Sequence, residues 1–269
     1  MAKLFQCSGL VDAWLDAAQH LAKQPSMEDQ NLILEISDPT SMTLEAKAVV
    51  RLVDQALNQN IPNLTIDTVA GTIFPLGVYL RNKRPTFYRK FFELMAQRKT
   101  QGTWGTYALR MMKRTSGSGK NAIHLNPLEI IVQKLAKAQV GRKLKSHYEL
   151  GLIDIIEDVL PFHEIGVELP IYDPVKDAKK PSSYPCLSHV TFKLIDEKVH
   201  LTAIYRSHYY GTRALGNLVG LSQLLWFVAK EAGFNVGTLT CVSTHAKLDI
   251  GSLAVSTKET KAFVNALKL

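Results

Sequence analysis

The sequence predicts an α+β fold, with helices packed on a mixed, mostly antiparallel sheet in a single domain spanning 1–269. Three observations predict it. Segments with apolar residues at helical spacing are interspersed with segments that alternate like strands. Two neighbouring alternating segments, CLSHVTFKLI and VHLTAIYRSHYY, flank a short polar turn at Asp196-Glu197-Lys198, which is a hairpin signature. The chain has 269 residues, 46% hydrophobic and 21% charged, which is ordinary for a globular protein with a sizeable core.

The elements follow in order. LVDAWLDAAQHLAKQ (10–24) has helical spacing, and NLILEIS (31–37) alternates as a strand that ends at Asp38-Pro39. TLEAKAVVRLVDQAL (43–57) is an amphipathic helix with Thr43 as its cap. TFYRKFFELMAQRK (86–99) is a helix capped by Thr86, and NPLEIIVQKLAKAQ (126–139) is a helix with Asn126 as cap and Pro127 at its first position. From about 147 to 183 the pattern weakens into a Pro-, Lys- and Ser-rich surface loop. The hairpin follows, then an apolar helix over 214–233 closed by Gly233, then a strand over 236–249.

Composition narrows the function. No apolar run approaches the roughly 18 residues of a membrane helix. The first residues carry Asp12 early and lack an unbroken apolar stretch, so no signal peptide is expected. Cys7, Cys186 and Cys241 are few, odd in number and widely spaced, which predicts a reducing, cytoplasmic setting without disulfides. No Cys or His pair has zinc spacing, so no metal is expected. The net charge of +8 favours an anionic partner or reflects a solvated basic surface. Nucleic acid is the least favoured partner, since only the charge suggests it. SGSGKN (116–121) lacks the phosphate-loop spacing and reads as a flexible loop.

The residues that carry chemistry cluster in 185–249. Pro185-Cys186 opens a strand, Arg206-Ser207 ends its partner, and Asn217 stands at the start of the apolar helix. Each also has a structural reading: Cys186 as core, Arg206 as a surface ion-pair former, Asn217 as a helix cap. Trp104 and Tyr107 read as core more readily than as a ligand platform, and Trp226 as packing. Cys7 and Cys241 read as structural.

The order and spacing of these landmarks resembles the thymidylate synthase family, which includes the pyrimidine nucleotide hydroxymethylases. RSHYYGTRALGN sits, without a gap, where the family writes Arg-Ser-x-Asp-x-x-x-Gly-x-Pro-x-Asn. GTWGTYALR (102–110) and the helix followed by Arg142-Lys143 are weaker echoes. The resemblance implies a thymidylate synthase-like fold that dimerises through its sheet. It implies Cys186 as nucleophile, Arg206 and Ser207 on the nucleotide phosphate, and Arg142 reaching the partner's phosphate. Asn217 would read the base. Trp104, Tyr209, Arg213 and His245 are further candidate ligand contacts.

The chemistry suits these residue types. A thiolate adding at C6 of a pyrimidine turns C5 into an enolate-like carbanion, and it can leave again. A guanidinium nearby favours the thiolate and forks onto phosphate oxygens. An Asn both donates and accepts, so it matches the N3–H and O4 of uracil. The resemblance therefore implies methylation or hydroxymethylation at C5 of a pyrimidine nucleoside monophosphate, uracil favoured, with methylenetetrahydrofolate as donor.

The chain also departs from the family. Leu187 replaces the His after the nucleophile, Tyr205 the Gln before the phosphate Arg, and Tyr209 the Asp that positions the pterin. Arg213 stands for a loop glycine, and the sugar-binding His-x-Tyr pair falls at Lys247 and Asp249 unless a shift places His245 there. Asp67 is the only carboxylate near the expected catalytic Glu. These changes leave a second reading open, a non-catalytic nucleotide-binding protein on the same fold.

Overall fold

The computed structural model describes residues 1–97, 106–116, 123–140, 148–151 and 185–269. Among these, one large sheet carries helices on one face. Its strands are β1 (Lys3–Cys7), β2 (Glu28–Ile36), β5 (Glu149–Gly151), β6 (Leu187–Ile195), β7 (Lys198–Tyr205), β8 (His208–Tyr209) and β9 (Asn235–Lys247). The order is β1-β2-β9-β7-β6-β5, with β8 added beside β9. A separate pair, β3 (Arg114–Ser116) and β4 (Ile123–Leu125), is antiparallel.

The expectation of a mostly antiparallel sheet is corrected. β2–β9, β6–β7 and β5–β6 are antiparallel, but β1–β2, β7–β9 and β8–β9 are parallel. The cause is the long helix between β7 and β9, which carries the chain back to the end where β7 began. A parallel neighbour requires such a crossover. The hairpin itself forms as expected, with Ile195 opposite Lys198. Its turn residues Asp196 and Glu197 have φ of 47° and 59°, the backbone of a tight two-residue turn.

The helices are α1 (Leu10–Lys23), α2 (Leu44–Asn60), α3 (Ile66–Ile73), α4 (Leu76–Asn82), α5 (Thr86–Gln97), α6 (Tyr107–Met112), α7 (Pro127–Lys137), α8 (Leu215–Ala232) and α9 (Thr257–Ala266). The expected caps form at Thr43, which accepts from the Ala46 N–H at 3.1 Å, and at Asn126, which accepts from the Glu129 N–H at 3.0 Å. Thr86 is instead the first residue of α5, because the chain already turns helical there and the Phe87 N–H bonds back to the Lys83 carbonyl. The surface loop expected over 147–183 begins with β5, since Leu150 pairs with Val190. Its remainder and residues 117–121 lie outside the described residues.

Packing follows from burial. On β6, β7, β9 and β2 alternate residues are buried, and these face the helices. α8 is apolar on nearly all sides, so it must be covered on both faces. It lies on β7 and β9 and is covered in turn by α1, α3 and α7. Gly216 and Gly220 permit the close approach of α3, since a Cβ on Gly216 would come within 2.6 Å of the Val69 Cβ and one on Gly220 within 2.8 Å of the Ala70 carbonyl oxygen. Phe74, Tyr79, Phe87 and Phe227 cluster around the far end of α8, mostly edge-to-face, with the Phe74 and Phe227 rings tilted by 32°. Beside it, Arg84 forks onto Glu129 with two bonds of 2.8 Å and reaches Glu231 at 3.5 Å. Tyr79 donates to that same Glu231. The pair joins α7 and α8 to the segment ahead of α5.

Candidate functional site

The hairpin geometry brings two distant dipeptides together. Leu187 lies opposite Tyr205, so the residues just beyond them, Pro185-Cys186 and Arg206-Ser207, meet at the open end of the hairpin. The Arg206 N–H donates to the Cys186 carbonyl at 2.9 Å, and Arg206 Nε donates to the Pro185 carbonyl at 3.0 Å. Cys186 is half-buried. The side chain of Arg206 is exposed.

A cleft of about 330 Å³ opens beside Cys186. Cys186, Ser207, Tyr209, Arg213 and Asn217 all line it, together with Thr72, Tyr107 and His208. Ser207 is in the bend between β7 and β8, Tyr209 is in β8, and Arg213 is in the π-helical turn Tyr210–Ala214 that leads into α8. Two anchors hold that turn. Trp14 Nε1 donates to the Tyr210 carbonyl at 3.0 Å, in the core. Asp249 accepts from the N–H groups of Gly211 and Thr212 at 2.9 and 3.1 Å, and from the Thr212 hydroxyl. Tyr209 keeps 43% of its surface exposed and so presents its ring at the mouth.

Asn217 is not a cap. It lies inside the first turn of α8 with only 4% of its surface exposed. Its Nδ2 donates to His208 Nε2 at 3.1 Å, and Oδ1 has no hydrogen-bond partner among the described residues. His208 is held in turn by Ser243 Oγ, 2.9 Å from Nδ1, and lies flat on the Tyr205 ring with centroids 4.0 Å apart. Burial lowers the His208 pKa to about 3, so the imidazole is neutral at ordinary pH. An unpartnered buried acceptor is costly unless a ligand supplies the missing donor.

Tyr107 opens α6, whose cap is Thr106, accepting from the Leu109 N–H at 3.1 Å. Its hydroxyl accepts from the Leu187 N–H at 3.4 Å, next to Cys186. Burial first, and the neighbouring Cys186 next, push the phenol pKa up, so the hydroxyl stays protonated. The other two cysteines stand apart. Burial raises Cys241 to about 12, and burial with Asp16 raises Cys7 to about 11, so both remain thiols.

Not every candidate reaches this cleft. Asp67 is exposed on the first turn of α3 and lines a neighbouring hollow of about 300 Å³ with Phe91, Leu94 and Met95; Thr72 borders both spaces. His245 is in β9, 3.3 Å from Glu28, and borders a separate polar hollow near Met1. Lys247 pairs with Glu28 at 2.6 Å, and Asp249 holds the π-helical turn. The positions where the family resemblance would put sugar contacts thus make contacts within the fold. Trp104 and Arg142 lie outside the described residues. Three lining residues escaped the sequence reading as site members. Tyr107 had a signal in GTWGTYALR, His208 had only its place inside RSHYY, and Thr72 had none.

Curated proteins resemble this chain over part of its length. A protein of Methanosarcina mazei named "Putative thymidylate synthase" is 46% identical over 67 residues, 25% of this chain and 31% of the relative. A protein of the same name in Methanosarcina barkeri is 34% identical over 112 residues, 40% of this chain and 51% of the relative. A third, in Methanothermobacter marburgensis, is 31% identical over 110 residues, 40% of this chain and 49% of the relative. The chain thus spans between about a third and about half of the length of these relatives. No family model matches it. Together with the Pro-Cys, Arg-Ser and Asn landmarks, these partial matches support a likeness of the chain to the thymidylate synthase family.

Proposed function

We propose that the cleft binds a pyrimidine nucleoside monophosphate and that Cys186 adds to its C6, activating C5 for methylation or hydroxymethylation. The observation that supports this most directly is the convergence of Cys186, Ser207 and Asn217 on one cleft. The Cys186 thiolate forms the S–C6 bond, and the C5–C6 π electrons move toward C5 as an enolate. When an electrophile or proton has been taken up at C5, loss of the C5 proton and expulsion of the thiolate restore the ring. Arg206 and Ser207 would hold the phosphate, and Asn217 the base edge. Tyr107 keeps its hydroxyl on the backbone beside the nucleophile and so fixes where the thiol sits. Arg142 of a partner subunit is proposed to complete the phosphate site. The dimer is proposed to form through the sheet face on which Thr202, Ile204, Thr240 and Val242 are half-exposed among the described residues.

Methylenetetrahydrofolate is the donor that the resemblance implies. The described lining does not fit it well. A pterin offers adjacent ring and amino N–H donors, which a carboxylate accepts in parallel, and no carboxylate is among the lining residues described. Tyr209 offers a single phenolic oxygen there. No step is therefore routed through that donor. The same observation favours a second reading, a nucleotide-binding protein without one-carbon transfer.

Tritium release from 5-tritiated dUMP, UMP, dCMP and CMP tests both, with and without methylenetetrahydrofolate, for the parent and Cys186→Ala. Release that needs Cys186 and the folate supports transfer. Release that needs Cys186 alone keeps the thiol addition and removes this donor. Tight binding with no release from any nucleotide leaves the binding protein.

A further inference from the structure

The hydrogen-bond chain behind Asn217 has two self-consistent proton arrangements, and they offer opposite chemistry to the cleft. In one, His208 carries its proton on Nδ1 and donates to Ser243 Oγ. Nε2 then accepts from Asn217 Nδ2, and Asn217 Oδ1 faces the cleft as an acceptor. In the other, Ser243 donates to Nδ1 and Nε2 carries the proton. The amide must then turn over and offer its NH₂ to the cleft. The structure holds the first arrangement: Nδ2 is 3.1 Å from Nε2, and Oδ1 is the orphan.

His208 has little freedom to leave it. Only 1% of its surface is exposed, its ring is stacked on Tyr205 at an angle of 4°, and Ser243 Oγ also meets the Tyr210 hydroxyl at 3.3 Å. The amide orientation decides which base edge fits. With Oδ1 at the ring nitrogen and the remaining Nδ2 proton at the exocyclic group, the pair complements the N3–H and O4 of a uracil. A cytosine presents a bare N3 and an amino group, so it would meet lone pair with lone pair and donor with donor.

We infer that His208 is a positioning residue for base selection: as its Nδ1–H tautomer it locks the Asn217 amide with Oδ1 toward the cleft and so favours uracil-type over cytosine-type nucleotides. This rests on the pyrimidine-nucleotide reading above. His208 borders the cleft with only 1% of its surface exposed and spends Nε2 on Asn217, so its effect belongs in the ratio of affinities and not in the affinity for every nucleotide alike.

Two measurements test it on the full chain. Long-range ¹H–¹⁵N correlation spectra of ¹⁵N-labelled protein, with the His208 signals assigned by their loss in His208→Gln, report the tautomer without any ligand. The expected pattern is a protonated Nδ1 and a bare Nε2, unchanged from pH 5 to 8. A protonated Nε2, or titration near 6.5, would overturn the lock. The second is titration with dUMP and dCMP. In His208→Gln the replacing amide can turn either way, so the dUMP preference should fall about tenfold, the scale of one buried mismatch. Ser243→Ala, which removes the acceptor of the Nδ1 proton, should lower the preference in the same direction. If both nucleotides bind and the ratio stays unmoved in both variants, the selection role fails while the nucleotide reading stands. If neither nucleotide binds the parent, both fail together.

Discussion

Arg206 is bonded to both residues of the nucleophile dipeptide, through its backbone N–H to the Cys186 carbonyl at 2.9 Å and through Nε to the Pro185 carbonyl at 3.0 Å. One residue therefore fixes the geometry of the thiol strand and offers a cation beside it. Arg206→Ala should weaken dUMP binding about tenfold to a hundredfold, the scale of a charged hydrogen bond. It should leave deoxyuridine binding almost unchanged, and paired titrations with nucleotide and nucleoside read the difference. An equal loss for both would assign Arg206 to the hairpin alone.

Cys186 packs at the edge of the core with part of its surface free. Cys186→Ala should abolish C5 tritium release while costing only about 1 kcal/mol of stability. Urea unfolding measured beside the exchange assay separates the two. A large loss of stability with residual exchange would return Cys186 to the core.

The contact between α3 and α8 sets how close Thr72 comes to Asn217. Gly216→Ala would drive a methyl into Val69, where the Cβ–Cβ distance would be 2.6 Å. The expected cost is about 1–3 kcal/mol, read as a lower melting temperature. Weaker nucleotide binding should accompany it, because the side of the cleft that Thr72 lines shifts.

Acid should destabilise the protein in two windows. Burial lowers His208 from 6.5 to about 3, so the unfolded chain takes up a proton that the folded one refuses. That contribution is complete above pH 6.5 and is lost as pH falls toward 3. Burial would raise the Glu129 carboxyl, but bonds from Arg84, then Gln133 and Tyr88, outweigh it and hold it below its ordinary 4.5. Its contribution is complete above 4.5 and is lost as pH falls through the lower folded value. Urea midpoints from pH 7 to 3 should decline from about 6.5 downward in the parent. The decline should be shallower between 6.5 and 4.5 in His208→Gln, and shallower below 4.5 in Glu129→Gln.

Arg84 is the partner whose loss should matter most there. Arg84→Met leaves Glu129 and Glu231 part-buried and near each other without their cation, at a cost of about 3 kcal/mol. A thermal melt of Arg84→Met beside the double variant Arg84→Met/Glu129→Gln reads this. The double variant should recover part of the loss.

Local signals were legible where the physics is local. The caps at Thr43 and Asn126, the 196–197 turn and the Gly233 stop, with φ of 78°, each depend on a few neighbouring residues. β1, α3, α4, α6 and α9 were not singled out, because they are short and draw their stability from packing rather than from a strong period. The parallel partners of β9 were also hidden, since strand direction across a crossover is set by where α8 can bury both its faces.

By itself the sequence determined the alternation of helices and strands, the hairpin arms, and the spacing that gathers Cys186, Ser207 and Asn217. Equal arms about a two-residue turn would set residue 186 opposite 207; the bulge between Leu187 and His189 shifts the ladder by one and sets it opposite 206. Only the tertiary structure decided what each candidate does with its polar atoms. It turned Asn217 from a cap into a buried amide held by His208, and tied Lys247 and His245 to Glu28. It set Asp67 in a neighbouring hollow and gave Asp249 the backbone of residues 211–212 to hold. The physical reason is that a hydrogen bond is made to whatever atom lies about 3 Å away, and for residues far apart in the chain that atom is chosen by packing.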